Sequence, residues 1–206
     1  MMTSAATTTA NTATSDVRES ILAHGQRIMA AKGFSAVGLN EILIASGVPK
    51  GSFYHYFGSK DAFGEALLES YFENYLAELD ATLSAPGQNM SKRLMSYWQN
   101  WQDAQSFHEC QGKCLAVKLG AEVADLSESM RAALQRGTAG ITSRLARAIE
   151  TGVTEGSLSI KNTPEVTAQS LYQLWLGASV MVKIVRTTQP FKMALTTTRQ
   201  ILHLPQ

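Results

Sequence analysis

Apolar residues return every three or four positions along nearly the whole chain, the period of helices that bury one face. Val17, Ile21, Ile28 and Met29 share a stripe of a predicted helix from Asp16 to Lys32, and Gly33 supplies its stop. Phe34 then drops into a small core. Ile42 and Ala45 mark a short helix over Glu41–Ser46, with Gly38 ahead of it as a weak cap. Gly47 follows where a turn needs positive φ, and Val48 can plug the space behind it. Pro49 suits a helix start, because its missing N–H would be unpaired there anyway. Lys50–Phe57 forms the next helix, with Phe53 and Phe57 four apart and facing inward. Ser59 caps a long helix from Lys60 to about Leu83, which carries Phe63, Leu67, Tyr71, Leu76 and Leu79 and is ended by Pro86-Gly87.

The same period continues. It predicts helices over Ser91–Phe107, from Cys114 to about Val123, from Ser127 to about Thr154, from Pro164 to about Thr187, and over Phe191–Leu202. EGSLSIKNT at 155–163 reads as a loop. The helix from Pro164 is apolar nearly all round, as for one buried by its own domain and by a partner, and Gly177, Ala178 and Ser179 would allow close approach. There is no strand alternation and no internal repeat. The fold class is therefore all-α, with a three-helix unit at 16–62 and a larger helical bundle at 63–206.

A short helix, a Gly turn and a second short helix make the helix-turn-helix plan, whose second helix enters the DNA major groove. Lys50, Ser52, Tyr54 and His55 are left off the apolar face, free to donate to phosphates or base edges. Gly51 lets the backbone come close. Lys60 falls near where a phosphate would lie. The plainer alternative is a helical hairpin whose aromatics are all core.

Charge changes this picture little. Eighteen Lys and Arg against 17 Asp and Glu leave a net +1, so any DNA contact must be local. Residues 16–60 hold five basic side chains (Arg18, Arg27, Lys32, Lys50, Lys60) and three acidic ones (Asp16, Glu19, Glu41), a surplus of 5 − 3 = +2 in the expected place. The first 15 residues are rich in Thr, Ala and Ser and lack Lys and Arg, so they read as a disordered tail and not a secretion signal. With only two cysteines, a reducing cytoplasm is expected. The longest uncharged run, Val166–Val182, contains five Thr, Gln and Ser side chains and reads as a buried helix, not a membrane span.

GVPKGSFYHYFGSKDAF at 47–63 closely resembles the DNA-binding signature of TetR-type repressors. CLAVKLGAEVADLSESMR at 114–131 and LYQLWLGASVMVKIVR at 171–186 resemble the branch of that family that senses electrophiles through a cysteine. The similarity runs from about Asp16 to the end. Gly38 departs from it, since Thr is common at that cap. The resemblance implies a homodimer, a palindromic double-stranded DNA operator, and a C-terminal domain that senses and dimerises. It implies operator contacts from Lys50, Gly51, Ser52, Tyr54, His55 and Lys60.

The chemistry concentrates in HECQGKCLAVK at 108–118. Cys114 stands at a predicted helix N-terminus, with Lys113 adjacent and Lys118 one turn on. All three effects stabilise the thiolate, the form that attacks electrophiles or is oxidised. The alternative is a small buried hydrophobe. The resemblance places a reactive cysteine at Cys114 and none at Cys110, which is either a resolving partner for a disulfide or a bystander. His108, Cys110 and Cys114 are soft metal ligands without a clear fourth, so no metal or other cofactor is expected. Lys183 either reaches solvent beside Arg186 or lies near Cys114 and tunes it. Trp98, Trp101 and Trp175 are core residues or the walls of a pocket for a small apolar inducer. GxGxxG, P-loop, HExxH and GxSxG motifs are absent from the sequence, so an enzyme is not expected. The rival from that class is a thiol-dependent redox or detoxification protein. The expected mechanism has modification of Cys114 repack the short helix after it, tilt the long fourth helix and separate the two recognition helices.

Overall fold

The structure, a computed structural model, describes residues 6–104 and 115–205, with side chains from residue 16 onward. Its elements are helices: α1 (Ala6–Lys32), α2 (Leu39–Ser46), α3 (Lys50–Phe57), α4 (Lys60–Leu83), α5 (Met90–Ala104), α6 (Leu115–Leu126), α7 (Glu128–Thr154), α8 (Pro164–Val185) and α9 (Gln189–Ile201). The described residues contain no strand, in accord with the all-α reading.

Several ends differ from the predicted ones. α1 begins at Ala6, well ahead of Asp16, so helix reaches into the stretch expected to be a tail. Residues 6–15 contain no Gly or Pro that would stop it. α2 starts at Leu39, because Gly38 holds the extended conformation of an N-cap. α8 stops at Val185, because Arg186 turns into the left-handed region at φ 57°. α9 starts earlier than Phe191, with a proline in its first turn. The ends of α3 and α4 fall where Gly47, Pro49 and Ser59 predict them, and Ser59 Oγ accepts from the Ala62 N–H at 3.0 Å.

The small N-terminal core is aromatic. Phe53, Phe57 and Phe63 pack with ring centroids 4.9–5.2 Å apart, covered by Ile21, Met29, Val37 and Ile42. In the larger bundle α7 packs on α4 and α8, and α9 on α8. At Gly137 a Cβ would stand 2.1 Å from the Phe72 ring, so only glycine lets α4 and α7 approach this closely. The segment 155–163 is a loop, yet Leu158 within it is 6% exposed and joins the core.

That loop also holds down α5. The Glu155 carboxylate accepts from the Met90 N–H and Ser157 Oγ from the Ser91 N–H, while Asn89 Oδ1 accepts from the Lys92 N–H. Three otherwise orphaned donors of the first turn are thereby satisfied. The Ser157 and Met90 hydrogen bonds hold the Glu155 carboxyl below its ordinary value.

Candidate nucleic-acid interface and sensing site

Gly47 adopts φ 67°, and its N–H bonds the Ile44 carbonyl, which closes the turn between α2 and α3. α3 then splits by burial. Phe53 and Phe57 are sealed in the core, while Lys50, Gly51, Tyr54 and His55 are exposed and Ser52 is half-exposed. These five positions make one outward face. A Cβ on Gly51 would meet nothing within 4 Å, so the backbone there is open to a close approach. Lys50 Nζ lies 5.8 Å from the Tyr54 ring, which holds the two polar ends on one side of the helix.

Lys60 has another partner. Its ammonium donates to the Phe34 carbonyl at 2.9 Å and sits 4.5 Å from the Phe34 ring centroid. The side chain fastens the start of α4 to the turn after α1. Two ammonium protons remain for other acceptors.

The three tryptophans lie together in the bundle. Trp98 and Trp175 stack at 4.9 Å with an interplanar angle of 15°, and Phe191 continues the stack at 5.8 Å. Trp101 Nε1 donates to Ser179 Oγ and Trp175 Nε1 to Thr198 Oγ1, each at 2.9 Å. Trp98 is fully buried, and its N–H finds no acceptor among the described residues. Tyr75 and Tyr97 hydroxyls meet at 2.8 Å beside them.

Lys183 is half-exposed near the end of α8. His108, Cys110, Lys113 and Cys114 lie outside the described residues; α6 begins at the next residue, Leu115. Among the described residues no His, Cys, Asp and Glu cluster could hold a metal ion. No described helix is long and apolar enough to cross a membrane.

A further link was not visible in the sequence. Glu122 on α6 accepts from the Phe34 N–H at 3.1 Å and the Ser35 N–H at 2.7 Å. Burial pushes this carboxyl up. The hydrogen bonds from Ser35 and Phe34, with the nearby Lys118 charge, outweigh it and hold it below its ordinary value. An acidic residue on a half-exposed helix face gives no sign of such partners.

Residues 21–67 match the model of the tetR family of bacterial regulatory proteins, and residues 91–198 match that of the tetracyclin repressor-like C-terminal domain. This chain belongs to the TetR family. It is 41% identical over 190 residues to the HTH-type transcriptional repressor NemR of Escherichia coli K12, covering 92% of this chain and 96% of that one. It is 32% identical to the transcriptional regulator AcuR of Cereibacter sphaeroides, over 84% of this chain and 78% of AcuR. The crystal structure of reduced E. coli NemR superposes with a TM-score of 0.87 at 42% identity, covering 92% of this chain and 98% of that one. As a TetR-family chain it is a transcriptional regulator with an N-terminal helix-turn-helix and a C-terminal helical domain.

Proposed function

We propose that this protein is a homodimeric repressor that holds a palindromic operator and lets go when an electrophile or oxidant modifies Cys114. The outward face of α3 carries the DNA half of the reading. Lys50, Ser52, Tyr54 and His55 offer donors to phosphates and base edges, Gly51 admits the backbone, and the two free protons of Lys60 can hold a phosphate.

The second copy covers α8. Val180, Met181, Ile184 and Val185, each 44% or more exposed, make an apolar stripe over the last turns of that helix, with Met193 of α9 exposed as well; Val166 at its start is separated from them by the exposed Gln169, Ser170 and Gln173. A Cβ on Gly177, in the same stripe, would meet nothing within 4 Å, leaving room for a partner helix. Four large apolar side chains left together on a water-facing helix end are unfavourable until covered.

The sensing half rests on sequence and on the relative. Cys114 directly precedes α6, whose first-turn N–H groups and dipole favour a thiolate. The crystal structure of NemR, similar along its length, is of its reduced form. Lys183 is the candidate that tunes the thiolate, and Cys110 the candidate that resolves an oxidised Cys114 into a disulfide.

The test is operator binding by fluorescence anisotropy, with and without a quinone, on the parent and Cys114→Ser. Saturable binding lost on treatment in the parent alone supports the whole reading. Release in both proteins, reversed by dilution without reductant, transfers sensing to a reversible ligand.

A further inference from the structure

α1 ends at Lys32, and Gly33 turns the chain at φ 94°. The turn carries the N–H groups of Phe34 and Ser35 away from the α1 carbonyls. Their acceptor comes from the other domain, the two oxygens of Glu122, which take one N–H each. The fit is close: a Cβ on Gly33 would stand 2.9 Å from Glu122 Oε2. The same residue is gripped from the other side, where Lys60 holds the Phe34 carbonyl and ring. The Phe34 ring occupies the space a Cβ on Gly64 of α4 would need. Phe34 thus sits where α1, α4 and α6 meet, directly before the helix-turn-helix.

α6 is a 12-residue helix that starts one residue after Cys114. Glu122 is seven residues beyond Leu115, roughly 10 Å along the axis at about 1.5 Å per residue. A slide or rotation of α6 moves both carboxylate oxygens together. Two hydrogen bonds of 2.7 and 3.1 Å to a rigid turn do not survive a shift of that kind.

We propose that Glu122 is the positioning residue by which α6 sets the reading head, and that displacement of its carboxylate from the Phe34 and Ser35 N–H groups frees α2 and α3 from the sensing domain. This rests on the inducible-repressor reading above. It adds a direct route from α6 to the turn before α2, alongside the tilt of α4.

The experiment uses full-length parent, Glu122→Gln and Glu122→Ala. Amide exchange without DNA is read at Phe34 and Ser35, with α4 and α7 amides reporting the global fold. Operator affinity is then measured before and after a quinone. In Glu122→Ala the two amides should exchange at least about tenfold faster while α4 and α7 stay protected. Its operator affinity should fall about fivefold or more, and the quinone should then change it less than about twofold. Glu122→Gln keeps one acceptor oxygen and should fall between the two. Unchanged exchange, or a quinone response equal to the parent's in both variants, overturns the proposal while leaving the repressor intact. A parent that binds operator but ignores the quinone sinks inducible sensing instead, and the Glu122→Ala affinity then decides whether the carboxylate sets the reading head.

Discussion

Lys60 shows how one side chain can satisfy a motif and still have a second occupation. Its place after the helix-turn-helix predicts a phosphate contact, while its ammonium is fastened to the Phe34 carbonyl and ring. Lys60→Met should therefore lower the unfolding free energy by about 1 kcal/mol, the range for a half-exposed charged hydrogen bond with a cation–π contact. Denaturant titration checks this. A lysine that only held phosphate would leave stability alone and reduce the salt slope of operator binding by about one per half-site. Glu155 makes the matching case for pH. Its carboxyl is more acidic folded than its ordinary value of 4.5, so its stabilisation is complete above that value. It fades as the pH falls through the lower folded value. The parent should be more stable than Glu155→Gln at pH 7, and the gap should close in acid as the protonated carboxyl comes to resemble the amide. Chemical denaturation across that range reads the gap directly, and a gap independent of pH would remove the Met90 cap from the account.

Among the elements, those bounded by backbone chemistry were legible in the sequence. Gly47, Pro49 and Ser59 each impose a local conformation, so α3 and the start of α4 can be read to the residue. Where no such residue stands, the ends drift. α1 runs back to Ala6, since nothing before Asp16 forbids a helix. Leu158 belongs to the core although its neighbours are turn formers, because the space beside Gly152 is filled from the loop. Glu122 was hidden for a different reason: its partners are N–H groups 87 and 88 residues away, and backbone donors leave no mark in a sequence. The α4–α7 seam follows the same logic of space. Gly137→Ala places a methyl carbon 2.1 Å from Phe72 Cγ, so the helices must part or the Phe72 side chain must swing away. The expected cost is about 1–3 kcal/mol, seen as a lower melting temperature. The clash is with the Phe72 Cγ and Cδ atoms, which leucine would keep, so the control is Phe72→Ala: a smaller cost of Gly137→Ala in that background than in the parent would show that the clash is the cause.

At the scale of the molecule, repression needs two reading heads held at a fixed distance. A symmetric operator offers half-sites about 34–36 Å apart or a multiple of that, and a single head binds only one. The exposed apolar stripe of α8 is the dimer face proposed above, and a two-fold axis through it would set each stripe against its own copy. Ile184 is 66% exposed near the end of that stripe. Ile184→Glu places a carboxylate on each side of the axis, where burial and like charge both oppose contact. Light scattering should then find monomers at concentrations where the parent is a dimer, with helical content unchanged by circular dichroism. Operator affinity should fall by about a hundredfold or more, because the second half-site is no longer bound at the high effective concentration that the first contact creates. Binding to an isolated half-site should be unaltered, since α3 lies in the other domain. If the variant stays dimeric, the two copies meet on another face. If it becomes monomeric yet binds the full operator as tightly as the parent, the dimer has no part in reading DNA, and α3 alone must carry the affinity.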